Sequence, residues 1–121
     1  MILVTANKAK QILLLSFIGH VRAAEIAEGR SDLATLSAEL SPGFTLLTDL
    51  TPLALLEREC LPEIIKSMEL CDQRGVGLVL RVIPDPTKDI GFNILSLFHY
   101  SRRPRIVTVK TMEEAAKVLR L

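Results

Sequence analysis

Asp49 closes the apolar run Phe44-Thr-Leu-Leu-Thr-Asp49, and Lys110 follows the β-branched run Arg105-Ile-Val-Thr-Val109. A carboxylate and a lysine at the ends of two strands have the residue types for phosphoryl acceptance, with the lysine neutralising the oxygens of the transferred group. That chemistry also needs a pair of carboxylates after the first strand, because Mg²⁺ takes several hard oxygen ligands. Gly19-His20-Val21 offers none, and no Ser or Thr closes Val76 to Ile83. Phosphoryl acceptance at Asp49 is therefore a minor alternative.

His20 and His99 are the only histidines, and two cannot make a zinc site without Cys or carboxylate partners at suitable spacing. No nucleophile is paired with a base, so the sequence points to a protein that is not an enzyme and implies no metal and no cofactor. The carboxyl ends of the predicted strands do collect polar residues: His20, Asp49, Thr51, Asp85, Lys110 and Thr111. Ligands of open α/β sheets bind at that edge. Arg102 and Arg103, in Tyr100-Ser-Arg-Arg-Pro-Arg105, join this crevice as candidate contacts for an anion. Each member also has a structural role: Asp49 can bond the start of the next helix, Thr51 and Thr111 can cap, Asp85 suits a Pro-rich turn, and cations favour a helix C-terminus.

The elements that must position these residues are built from an aliphatic supply. Of the 121 residues 49% are hydrophobic, with one Tyr, four Phe and no Trp, which suits Leu, Ile and Val packing of helices on a mainly parallel sheet and suits base stacking poorly. A formal charge of +1 leaves no field of one sign to draw in nucleic acid. The apolar runs are far short of a bilayer span and the first thirty residues lack a signal-peptide pattern, so a cytoplasmic protein with no membrane span is expected. Cys60 and Cys71, eleven residues apart, would be separated by roughly 16 Å along a helix, too far for a disulfide, and read as reduced core residues.

Ile2 to Ala6 and Gln11 to Ile18 predict a β-hairpin around Asn7-Lys8. Ile26, Leu33, Leu36 and Leu40 recur as a helical stripe, with Gly29 and Ser31-Asp32 expected to break it into two pieces. Phe44 to Asp49 is a strand. Thr51 and Pro52 have the types of an N-cap and a first helical residue, and Leu53, Leu56, Cys60, Ile64 and Met68 form the stripe of the helix that follows. Pro62 interrupts that stripe, so the regular helix can start just before it and leave a separate turn ahead. Val76 to Ile83 is a central strand, Asp89 to Tyr100 a helix, Arg105 to Val109 a strand, and Thr111-Met-Glu-Glu114 a capping box opening a last helix. The outcome is one α/β domain over 1–121: a hairpin followed by (αβ)₃α, with a mixed, mainly parallel sheet of about five strands.

In this arrangement the chain resembles the STAS-like, SpoIIAA-like family, the fold of bacterial anti-sigma-factor antagonists. The resemblance is carried by Phe17-Ile-Gly-His-Val21, by Leu46-Leu-Thr-Asp-Leu-Thr51 where the family has an apolar strand ending in Asp-Leu-Ser, and by Arg105-Ile-Val-Thr-Val109 with Glu-Glu-Ala-Ala-Lys-Val-Leu119. Phosphorylated members carry an Asp-Ser-Ser-Gly type motif at the start of the next helix, where this chain reads Leu55-Leu-Glu-Arg-Glu-Cys60 without a hydroxyl. The resemblance implies a bacterial regulatory module that binds a protein or a small ligand and lacks the partner-switching phosphorylation.

The helix from Asp89 to Tyr100 supplies the contact surface of that reading. Ile90, Ile94, Leu97 and Phe98 fill one face while Phe92 and Leu95 project from the other, where an ordinary surface helix is polar. Phe92, Leu95 and His99 are the candidate interface residues, with a homodimer the expected assembly and a further protein partner the other occupant. A second class of function is a carrier or sensor of a small apolar or anionic ligand, lipid included, in a pocket between this helix and the sheet with Arg102 or Arg103 as anchor. The minor alternative is a receiver-like phosphoacceptor at Asp49.

Overall fold

The computed structural model describes residues 1–85 and 99–121. The helix expected over 89–100 therefore lies outside the described residues up to its last two positions, and Phe92 and Leu95 lie outside with it. Strands β1 (Ile2–Asn7) and β2 (Ile12–Phe17) form the expected hairpin, antiparallel from Ile2 opposite Phe17 to Asn7 opposite Ile12. Its turn is held locally, the Asn7 side-chain oxygen accepting from Lys10 N and Gln11 Nε2 donating to Lys8 O. Parallel pairing then runs from β2 to β4 (Thr45–Asp49), to β6 (Leu78–Val82), to β7 (Arg105–Val109). The sheet order is β1-β2-β4-β6-β7, five strands, mixed and mostly parallel as expected.

Each step from β2 onward moves the chain across the sheet in one direction, and right-handed crossovers then put the connecting helices on one face. Helices α1 (Ala23–Ser37) and α2 (Leu61–Gln73) pack there, burying Ile26, Leu33, Ile64, Met68 and Cys71 against Leu13, Phe17, Leu46 and Val79. Side chains alternate across a strand. The other set, Ile12, Leu47, Leu80 and Val82, therefore faces the opposite side and meets Ala115 of α3 (Met112–Leu119). Helix α3 opens on Thr111 as its N-cap, Glu114 N donating to Thr111 Oγ1, while the Glu114 carboxylate accepts from Lys110 N, one residue ahead of the N–H that the expected capping box would use.

Two sequence expectations are corrected here. Helix α1 runs unbroken through Gly29, Ser31 and Asp32. A Cβ at position 29 would lie 2.9 Å from Ile2 Cγ2, so the glycine lets β1 pack against the helix, and this burial outweighs a propensity cost of about 1 kcal/mol. The second correction concerns Thr51 and Pro52, which do not start a helix. Leu53–Leu56 is strand β5, paired in parallel with β3 (Gly19–Val21) in a separate two-stranded sheet. A 3₁₀ turn over Arg58–Cys60 follows, and α2 begins at Leu61 with Pro62 in its first turn, where a missing N–H is harmless. The start beside Pro62 and the turn ahead of it agree with the sequence.

The parallel strands β4 and β6 begin where two loops touch backbone to backbone. Gly43 N donates to Gly75 O, Gly77 N donates to Phe44 O, and a Cβ built on Gly77 would lie 2.8 Å from Gly43 O. A backbone obstacle cannot swing aside as a side chain can. Gly77→Ala is expected to lower stability by about 1–3 kcal/mol, measured as the urea midpoint at constant slope. An unchanged midpoint would mean that the two loops separate without loss.

Candidate functional site

The carboxyl edge of the sheet holds His20, Asp49, Thr51, Asp85, Lys110 and Thr111, as the strand directions require. Most of these groups are occupied by local structure. The Asp49 carboxylate accepts from Thr51 N at 2.9 Å, a turn that carries the chain from β4 toward β5. Thr51 is a turn residue rather than a cap. Thr111 caps α3, and Lys110 N is held by Glu114. His20, on β3, has its Nε2 3.7 Å from Glu57 Oε1, both side chains well exposed. Among the described residues no cluster of three or more His, Cys, Asp or Glu could hold a metal ion.

Arg102 and Arg103 do not belong to that edge. They precede β7, whose first residue Arg105 pairs with Leu78, the first residue of β6, so they lie at the opposite, amino end of the strands. The organiser there is Asp72, buried at the end of α2. It accepts from Ser101 Oγ at 2.6 Å and from Arg102 N at 3.1 Å. Burial works against ionisation of this carboxyl, but the hydrogen bonds from Ser101 and Arg102 outweigh it and hold the group below the usual carboxylate range. His99, half-buried, brings Nδ1 to 3.1 Å from Glu69 Oε1 on the same helix. The turn from His99 to Arg102 is thus tied to α2 at two points.

That tie seats Tyr100 in the core, where sequence reasoning placed no functional residue. Tyr100 is 3% exposed, and Arg81, in the middle of β6, is 2% exposed and among the largest fully buried side chains. Arg81 stands across from Thr48 of β4 and Thr108 of β7, on the face covered by α1 and α2. Burial pushes the Tyr100 phenol up, while a hydrogen bond with Arg81 pulls the other way. A cavity of about 40 Å³ opens beside the pair, between α1, α2 and the sheet. The only sequence signal was one arginine inside an apolar run, Val79-Leu80-Arg81-Val82-Ile83, since a charge is almost never fully buried without a purpose in the fold or the site.

The thiols are inert by environment. Cys60 donates to Val21 O at 3.4 Å and is raised by burial, and Cys71, deep under α2, is pushed up to about 12 by loss of solvent. Neither can serve as a thiolate nucleophile near neutral pH.

No protein-family model matches the chain, and no curated protein is similar to it in sequence. Solved structures are similar to it in fold. The anti-sigma factor antagonist SpoIIAA in its unphosphorylated form superposes with a TM-score of 0.69 at 13% identity, over 99% of this chain and 98% of that one. A protein of SpoIIAA-like fold from Shewanella loihica gives 0.71 at 14% identity, over 98% and 92%. An anti-sigma factor antagonist from Mycobacterium paratuberculosis gives 0.61 at 16% identity, over 100% and 94%. The chain has the STAS-like fold of SpoIIAA, as the residue pattern implied.

The Asp72 contacts have a defined pH signature. A carboxyl whose folded-state pKa is depressed contributes stability above its unfolded value and loses it as pH falls through the folded one. Asp72→Asn is expected to cost about 1–3 kcal/mol at neutral pH. The gap from wild type, followed by chemical denaturation, closes as pH drops below about 4. A gap independent of pH would mean that the charge of Asp72 does not hold the turn.

Proposed function

We propose that the chain is a non-enzymatic, protein-interaction module of STAS-like type, working as a regulator through contact with other chains. The observation that carries the reading is the end-to-end likeness to two anti-sigma factor antagonists, over nearly the full length of all three chains. The carboxyl edge agrees with it. The Asp49 carboxylate and the Thr111 hydroxyl serve turn and cap hydrogen bonds, and Thr51 and Lys110 join them through their backbone N–H groups.

Regulation in this chain does not run through phosphorylation at the start of α2. The residues that lead into that helix, Leu55 to Cys60, form the end of β5 and the 3₁₀ turn and carry no hydroxyl. Self-association through the 89–100 stretch supplies the contact. In sequence, Phe92 and Leu95 add to Ile90, Ile94, Leu97 and Phe98 a stretch too apolar for an ordinary surface helix, and such a stretch in water is covered by protein. His99, whose Nδ1 lies 3.1 Å from Glu69 Oε1 of α2, is the one proposed contact residue among those described. Among the described residues no helix is long and apolar enough to cross a membrane.

Replacing both Phe92 and Leu95 by Glu places like charges on the proposed contact. The double variant is expected to sediment as a monomer while keeping the far-ultraviolet spectrum of the folded chain. An unchanged oligomeric state, with no partner lost, would refute the interface.

A further inference from the structure

Strand β1 is an edge of the sheet, and half of its backbone is left over by the fold. Met1 N donates to Ile18 O and Ile18 N donates to Met1 O, both at 2.8 Å. Bonded and unbonded pairs alternate along an antiparallel ladder, and the register with β2 runs without a break, so Leu3, Thr5 and Asn7 are the residues bonded to β2. The N–H and C=O groups of Ile2, Val4 and Ala6 point away from the sheet, with no bond to another described residue. Sheet edges are commonly guarded by charge, proline or a bulge. The six residues of β1, Ile-Leu-Val-Thr-Ala-Asn, carry none of these, whereas β7, the opposite edge, opens on Arg105 and runs into Lys110.

The surroundings of this edge select what can pair with it. On one face Leu3 is 47% exposed. On the other, Ile2, Val4 and Ala6 pack half-buried under α1. Arg30, bonded to Glu63, marks the side of α1 that faces α2, and at about 100° per residue Asp32 falls roughly on the opposite side, over the β1 edge. Two ion pairs tie that side to the ends of β1: the Met1 ammonium to Glu25 at 2.7 Å, and Lys8 to Glu39 at 3.6 Å. Exposed Asp32 lies seven residues from each of these glutamates and has no ion pair among the described residues. It is about 4.5 Å of helix beyond Gly29, which packs on Ile2, and so stands level with Leu3 and Val4.

We propose that the β1 edge receives an extended segment of another protein as an added strand, with aliphatic side chains on the Leu3 face and a Lys or Arg on the α1 face. Main-chain bonds to Ile2, Val4 and Ala6 hold the segment, while Leu3 and Asp32 choose its side chains. A second copy of this chain fits the edge poorly. Antiparallel pairing of two β1 strands about Val4 sets the Asp32 of each copy toward the other, and like charges brought together oppose association. A basic residue at the same place neutralises Asp32. The inference rests on the reading of the chain as a contact module, yet it uses β1 and α1 rather than residues 89–100, so the two surfaces are tested separately.

Amide hydrogen exchange of the full chain, read by NMR, tests the proposal with the blocked peptide acetyl-Thr-Thr-Val-Lys-Val-Thr-Thr-amide, whose sequence is the same in either strand direction. In the free chain the Val4 and Ala6 amides are expected to exchange faster than those of Leu3 and Thr5, and saturating peptide to slow them about tenfold or more. A peptide with Glu in place of Lys is expected to bind about tenfold more weakly, and Asp32→Lys to reverse that preference. Val4→Pro removes an outward N–H that the β1–β2 ladder does not use, where an edge strand tolerates proline, and is expected to abolish binding in a folded protein. Should that variant unfold, Asp32→Lys on the exposed side of α1 carries the test. The proposal is overturned by any of four results: no saturable slowing at Val4 and Ala6, slowing at β7 instead, full affinity in folded Val4→Pro, or an unchanged Lys-over-Glu preference in Asp32→Lys. Outward amides that slow in the free chain as its concentration rises would give the edge to a second copy and overturn it as well. A monomeric wild type, by contrast, bears on residues 89–100 and leaves the peptide result standing.

Discussion

Parallel pairing of β2, β4, β6 and β7 is the constraint on which the rest of this structure depends. Because the strands step in one direction and the crossovers are right-handed, α1 and α2 are forced onto one face of the sheet. On the opposite face, among the described residues, α3 covers β6 and β7 around Leu80, Val82 and Ala115. On the β1 side that face is more open, and Leu3 is exposed there. Among the described residues one side is therefore a core containing a buried arginine, and the other is packed by α3.

The same constraint separates the polar residues into two edges. Strand direction sends Asp49, Asp85 and Lys110 to the carboxyl end, and sends Arg102 and Arg103 to the amino end beside Gly75, Pro42 and Asp72. Grouping the two arginines with the aspartates failed because the short Arg102-to-Arg105 segment enters β7 rather than leaving it. What the arginine-rich turn does instead is seat Tyr100 over Arg81, through the bonds of Asp72 to Ser101 and Arg102. A surface feature of the sequence thereby becomes a support for the core.

Much of the fold was legible in the residues. Hairpin, central strands and the Thr111 N-cap each carry local signals that agree with the tertiary result: apolar runs bounded by turn residues, and a Thr three positions before a Glu. The departures come where tertiary contacts override local preference. Gly29 reads as a helix breaker until β1 is known to press on it, and Leu53–Leu56 carries a helical spacing yet forms β5 because β3 lies alongside to pair with it. The site was less legible. Thr51, Asp49 and Thr111 turn out to serve the backbone, while Arg81 and Tyr100 meet only across the sequence separation between β6 and the turn before β7, which no local pattern encodes.

A fold shared with anti-sigma factor antagonists gives a scaffold, and function rests on what its surfaces touch. The proposed work is contact between chains, with a second copy of this chain as the first partner. Native mass spectrometry of the purified protein at low micromolar concentration tests this most directly. The account predicts a dominant dimer, whereas a spectrum of monomer alone across that range would contradict it.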